Sequence, residues 1–207
     1  MAVHRLVVVL VFFSATAHAQ RSEAGLASWY GRSFDGQKAA SGETYHQDEL
    51  TAAHRTLPFG TTVRIRRVDT GASVVVRIND RGPYIESRII DLSNAAARKL
   101  DMLQPGVVPV ALEILEAAAA DPRTLFAVQA GTFRILANAE RTRALMEKLF
   151  GAARIVQRAG DTALWCVQVG AEATQSAAET LASAVRKAKG LESAFVVRMA
   201  ASLSVTD

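Results

Sequence analysis

The feature that most constrains this chain is an internal repeat. Phe126-Ala127-Val128-Gln129-Ala130-Gly131 and Trp165-Cys166-Val167-Gln168-Val169-Gly170 share the order aromatic, small, Val, Gln, apolar, Gly, and lie 39 residues apart. A stretch of helical pattern follows each copy, at 138–150 and 174–189. In the first of these Leu145, Met146 and Leu149 fall on one face. A further apolar strand follows each helix, at 153–157 and 194–199. The order β-α-β-β-α-β predicts a ferredoxin-like α+β sheet, with both helices on one face and the other face free. Two units are too few for a solenoid, so duplication is the better account of the repeat.

Upstream the pattern changes. Ala117-Ala118-Ala119-Ala120-Asp121-Pro122 reads as a joint, set here at 116–123, and Pro122 ends any helix the alanines begin. Before the joint the chain is mainly β. A strand is predicted over 26–30, followed by a long loop punctuated by Gly31, Gly36 and Gly42. Segments 61–68 and 73–78 make a hairpin around Asp69-Thr70-Gly71. Val74-Val75-Val76 is apolar on both faces, which predicts a central strand. A strand over 88–92 leads to Ser93, a helix N-cap, and Pro105-Gly106 closes that helical region before a last strand at 107–115. Many short strands and little helix predict a small β-barrel. With 207 residues, half of them apolar, two such units can each bury a core. The expected division is a barrel at 25–115, the joint at 116–123 and the second domain at 124–200.

The first residues read as a secretory leader over 1–19. Arg5 supplies a basic start, Leu6 to Phe13 is unbroken apolar chain, and Ala17-His18-Ala19 is a small-x-small cleavage signal before Gln20. The apolar run is shorter than a bilayer span requires. A lipid anchor would need a cysteine after the cleavage site, and the one cysteine is Cys166, so no lipid anchor is expected and no internal disulfide can form. The expected location is periplasmic or secreted. Without the leader the chain keeps 23 basic against 20 acidic side chains, a weak excess that suits an anionic polymer among many partners.

Polar residues concentrate where the first half's strands meet its loops. Glu43 follows Gly42, His54 ends Thr51-Ala52-Ala53-His54, and Asn79-Asp80-Arg81-Gly82-Pro83 leaves the central strand. Asp91 stands between Ile90 and Leu92, an apolar setting that favours a protonated carboxyl. A glycosidic oxygen leaves poorly until such a group protonates it. Each residue also has a structural role open to it: Asp80 in a turn, Asp91 paired with Arg88 or Arg81, His54 hydrogen-bonded in a core. Trp29 and Tyr30 could line a sugar cleft or fill the core. No two histidines have ligand spacing, no cysteine pair exists and no G-x-S-x-G occurs, so neither a metal nor a cofactor is expected.

Several blocks together resemble one family. Ala27-Ser28-Trp29-Tyr30-Gly31, Ala40-Ser41-Gly42-Glu43, Thr51-Ala52-Ala53-His54, Leu57-Pro58, Val76-Arg77-Ile78-Asn79-Asp80-Arg81-Gly82-Pro83 and Ile89-Ile90-Asp91-Leu92-Ser93 fall in the order of the rare lipoprotein A (RlpA) family. The resemblance implies a double-psi β-barrel and a lytic transglycosylase. Such an enzyme cleaves the MurNAc–GlcNAc β-1,4 bond of peptidoglycan and leaves a 1,6-anhydroMurNAc end. It puts Asp91 first as catalytic acid, Glu43 second, and Asp80 and His54 as positioning groups. Trp29, Tyr30, Asn79 and Arg81 are the barrel's candidate sugar contacts.

The second half resembles a SPOR domain, which implies binding to glycan strands stripped of stem peptides and gathering at division septa with other division proteins. Alternation puts Gln129 and Gln168 on the face opposite Val128 and Val167, where amides can meet sugar hydroxyls, and Phe133 and Trp165 could stack on sugar rings. The runner-up function is a non-catalytic glycan-binding protein of the septum. Nucleic acid is not an expected partner: an open four-stranded sheet is the shape of an RNA-recognition fold, but its aromatic pattern is missing and the leader directs export.

Overall fold

A computed structural model of the chain describes residues 22–158, 164–188 and 191–199, so the leader at 1–19 and the domain-end residue Ala200 lie outside the described residues. Six strands form the first unit: β1 Ser22–Trp29, β2 Thr51–His54, β3 Thr62–Arg67, β4 Ser73–Asp80, β5 Arg88–Leu92 and β6 Val108–Glu116. They close into a barrel in the order β1-β5-β2-β4-β3-β6, as expected of the double-psi barrel that the family resemblance implied. Period-2 burial drives the closure: Val63, Ile65, Val74, Val76, Ile78, Ile90, Leu92 and Leu112 point inward and are at most 5% exposed. Between β5 and β6, Ser93 caps helix α1 (Asn94–Lys99) by accepting from the Ala96 amide at 3.2 Å.

Two details of the barrel differ from expectation. β4 does pair on both edges, with β2 and β3, yet Val75 faces outward and is 41% exposed, so the triplet is not apolar on two buried faces. β2 carried no strand signal because all four of its residues are buried and none alternates.

The second unit contains β7 Phe126–Phe133, α2 Leu136–Phe150, β8 Ala153–Arg158, β9 Leu164–Glu172, α3 Gln175–Arg186 and β10 Phe195–Arg198. Its sheet is antiparallel in the order β10-β7-β9-β8, the ferredoxin-like arrangement. Val128, Val167, Val169 and Val196 pack with Ala139, Met146, Ala178, Ala182 and Val185 of the helices into one core. The glycines that end each repeat have local causes. A Cβ on Gly131 would stand 2.8 Å from the Phe133 ring, and one on Gly170, whose φ is +74°, would stand 2.5 Å from Leu181 Cδ2.

The sheet's second face, expected to be free, is not. Ala127, Phe195 and Val197 on that face form a separate buried cluster, and the barrel lies against it. The Arg198 amide donates to the Arg55 carbonyl at 2.8 Å and its Nε to the Thr56 carbonyl at 2.6 Å. Thr132 Oγ1 donates to the Tyr84 carbonyl at 3.1 Å. The Arg55 guanidinium lies 3.9 Å over the Phe195 ring and also donates to the carbonyls of Pro83, Ile85, Glu86 and Arg88. The physical reason is the apolar content of that face, which a short joint holds within reach of the barrel.

Candidate active site

Strand register sets four residues in one row across the barrel: Asp80 on β4, Ala53 on β2, Asp91 on β5 and Ser28 on β1. The two aspartates are thus two strands apart, about 10 Å between Cα atoms. Tyr30 and Tyr45 cluster with Ala53 in the middle of the row, their ring centroids 5.0 Å apart. The two ends of the row have different surroundings.

Asp80 opens onto a cleft of about 320 Å³ lined by the rings of Tyr30, Phe34, Tyr45 and Tyr84, by Arg81 and by the loop at 37–40. Its Oδ1 accepts from the amides of Ala40 and Arg81, each at 2.8 Å, and its Oδ2 accepts from the Tyr30 hydroxyl at 2.6 Å. The long loop after β1 is therefore pinned onto the end of β4. A second tie is the Ser41 amide, which donates to the Asn79 carbonyl at 3.2 Å.

Asp91 is only 5% exposed and does not line the cleft. Its Oδ1 accepts from Ser28 Oγ at 2.5 Å and lies 3.5 Å from Arg88 Nε. Of the structural roles open to it, pairing with Arg88 is the one observed.

Glu43 stands on the exposed loop, where Arg77 Nη1 donates to both of its oxygens at 2.8 and 2.9 Å and Asn79 Nδ2 donates at 3.2 Å. The hydrogen bonds from Arg77 hold its carboxyl below the ordinary glutamate value of 4.5, against a smaller opposing effect of burial. Asn79 itself is buried and spends its amide on Glu43.

His54 is 3% exposed. Its Nδ1 accepts from the amides of Thr56 and Leu57 at 3.2 and 3.1 Å, which assigns the proton to Nε2, 3.2 Å from Glu23 Oε2. Burial raises the Glu23 pKa, but His54 and Arg55 outweigh it, and the carboxyl falls below its ordinary 4.5. The His54 carbonyl in turn accepts from Arg81 Nη1 at 3.3 Å. Arg81 stacks 3.6 Å over Phe59, and its buried Nε has no hydrogen-bond partner. Burial, with Arg198 nearby, pulls its guanidinium down to about 10, so it stays charged at neutral pH.

The other candidates divide. Tyr30 reaches the cleft, whereas Trp29 packs against the barrel core. Phe133 and Trp165 pack on the helix-side core of the second domain. Gln129 and Gln168 do lie opposite Val128 and Val167, but in a row Phe195–Gln129–Gln168–Arg154 that crosses all four strands. Both are nearly buried. Gln129 Nε2 donates to Thr132 Oγ1 at 2.8 Å, and Gln168 Oε1 accepts from Arg154 at 2.7 Å. The sequence reading missed Tyr45 and Tyr84 of the cleft wall, and Arg55 and Arg198 of the seam. Arg198 left one trace, a cation in the otherwise apolar run Phe195 to Met199.

Comparison with known proteins finds two family matches along the chain. Residues 22–112 match the family described as lytic transglycolase, and residues 122–198 match the SPOR domain. A Synechocystis protein named probable endolytic peptidoglycan transglycosylase RlpA is 53% identical over 104 residues, covering 50% of this chain and 32% of the relative. The Campylobacter jejuni endolytic peptidoglycan transglycosylase RlpA is 50% identical over 91 residues, covering 44% of this chain and 33% of that protein. The match thus spans about a third of these relatives' length. Among solved structures an expansin from Clavibacter michiganensis aligns at a TM-score of 0.39 with 18% identity, over 73% of this chain and 80% of its own.

Proposed function

We propose that this chain, which belongs to the RlpA family and carries a SPOR domain behind its barrel, is an exported lytic transglycosylase of peptidoglycan. The observation that carries the proposal is that Asp80 is the carboxylate lining the open cleft. The acid is therefore assigned to Asp80, not to Asp91, which the sequence favoured and which is enclosed with Ser28 and Arg88. Glu43 is unsuited to donate a proton because Arg77 holds it anionic. Its work is to fix the loop through Arg77 and Asn79. His54 acts through Arg81, holding the guanidinium beside Asp80 by way of its carbonyl.

The chemistry needs one carboxyl used twice. Asp80 Oδ1 is occupied by two backbone amides, so Oδ2 is the oxygen that exchanges a proton with the sugar. The protonated carboxyl gives its proton to the glycosidic oxygen as the C1–O bond breaks and the GlcNAc end leaves as an alcohol. The carboxylate so formed accepts the proton of the MurNAc C6 hydroxyl while O6 bonds to C1. The products are a free 4-hydroxyl and a 1,6-anhydro ring, and no water is consumed. The Tyr30 hydroxyl, 2.6 Å from Oδ2, keeps the carboxyl oriented through both transfers.

The SPOR domain makes stripped glycan strands at the division septum the preferred substrate and location. The test is digestion of purified sacculi, intact and amidase-treated, with mass spectrometry of the products. Soluble fragments with anhydroMurNAc ends support the enzyme. Sacculi bound but uncut would instead fit a septal glycan-binding protein.

A further inference from the structure

The cleft at Asp80 has a wall that the barrel does not supply. Val156 and Gln157 of β8 and Cys166 of β9 line it opposite Asp80, Arg81 and Tyr84. Strand register explains why Val156 and Cys166 meet the barrel. Val156 pairs with Cys166, and Cys166 with Thr132, so Val156, Cys166 and Thr132 form a row across β8, β9 and β7, while Gln157, paired with Trp165, borders the cleft from the next position of the edge strand. Thr132 is the residue tied to the Tyr84 carbonyl, and Cys166 Sγ lies 3.9 Å from Thr132 Oγ1. The row is thus anchored at one end to the barrel turn that follows Asp80. Arg198 fixes the same sheet to the carbonyls of Arg55 and Thr56. The wall is therefore held at two points.

Its chemistry suits a pyranose. Val156 is 36% exposed on an edge strand, an apolar side chain facing the Tyr84 side of the cleft. Gln157 beside it is exposed and brings an amide that can both donate and accept. At about 320 Å³ the cleft is at the lower end of the size range of small-ligand sites, room for a sugar unit and not for a folded partner.

We propose that the β8–β9 corner of the second domain is a sugar subsite of the catalytic cleft. There Gln157 hydrogen-bonds the hydroxyls, and Val156 and Tyr84 flank the apolar face, of a glycan unit next to the bond that Asp80 attacks. The proposal rests on the reading of the barrel as a transglycosylase for the identity of the sugar. It makes the second domain a specificity element as well as a tether: a strand reaching Asp80 must pass along β8.

Two measurements on the full chain test it. In turnover of amidase-treated glycan, Val156→Trp, a surface substitution that fills the cleft, lowers kcat/KM roughly ten-fold, and Gln157→Ala raises KM several-fold at unchanged kcat. A role confined to domain stability would move neither KM nor this split. Separately, Gln157→Cys in a Cys166→Ser background puts one exposed thiol in the wall. Saturating stripped-glycan tetrasaccharide slows its modification by a small thiol reagent about five-fold or more. Unchanged KM and unprotected thiol, with wild type cutting normally, would overturn the subsite and leave the barrel's role intact. Thiol protection in that variant, alongside a wild-type protein that makes no anhydro ends, would uphold the subsite and sink the transglycosylase reading.

Discussion

The two ends of the row Asp80–Ala53–Asp91–Ser28 hold the same side chain in opposite settings. At one end Asp80 faces a cleft, with two backbone amides and one phenol aimed at it. At the other Asp91 is enclosed, with a serine and an arginine as partners. Two aromatic rings over Ala53 stand between them. A nearly buried carboxylate tied to a serine and an arginine contributes to the fold. One whose partners leave a side open can meet a substrate. The difference is made by what packs beside each residue, since register alone would have treated them alike.

That comparison can be broken by experiment. The largest effect expected is in Asp80→Asn, which removes the transferable proton and lowers formation of anhydroMurNAc ends by about 10²–10⁴-fold while thermal stability stays near wild type. Asp91→Ala should do the reverse. Leaving Arg88 and Ser28 without their partner costs roughly 1–3 kcal/mol, read from urea unfolding, with the specific activity of the folded protein retained. Tyr30→Phe removes one donor to Asp80 Oδ2 and should lower kcat about ten-fold with KM unchanged.

The smallest effect concerns Glu23, whose carboxyl is held below 4.5 by His54 and Arg55. A depressed carboxylate stabilises the fold above its unfolded pKa, and that contribution disappears as pH falls through the folded value. Glu23 is 48% exposed, so the contribution is only a few tenths of a kcal/mol after solvent screening. The Tm gap between wild type and Glu23→Gln should therefore be constant near neutrality and close below pH 4.5. A gap that widened in acid would contradict the assigned pairing.

Local pattern made much of the architecture legible. Alternation in β3, the Asp-Thr-Gly turn, the Ser93 cap and the 39-residue repeat are each written in neighbouring residues. The four polar candidates were picked out as a group for the same reason: His54, Asp80 and Asp91 stand at or next to strand ends and Glu43 in a Gly-punctuated loop. What local pattern does not carry is the environment each one meets. Asp91 looked buried and therefore acidic because Ile90 and Leu92 flank it, but burial here came with Ser28, from a strand 63 positions away. Gln129 looked free to meet sugar because its face lacks helices, but it is only 1% exposed, at the base of a cleft that Tyr84 and Phe195 also line. Both surroundings come from long-range packing, which depends on how the barrel closes and how the second sheet docks on it.

The measurement that bears most directly on the account is parallel digestion of amidase-treated sacculi by wild type, Asp80→Asn and Asp91→Asn, with anhydroMurNAc ends counted by mass spectrometry and folding checked by circular dichroism. The account predicts product from wild type and from folded Asp91→Asn, and none above background from Asp80→Asn. Loss of product in a folded Asp91→Asn with Asp80→Asn still active would contradict it and return the acid to the enclosed end of the row.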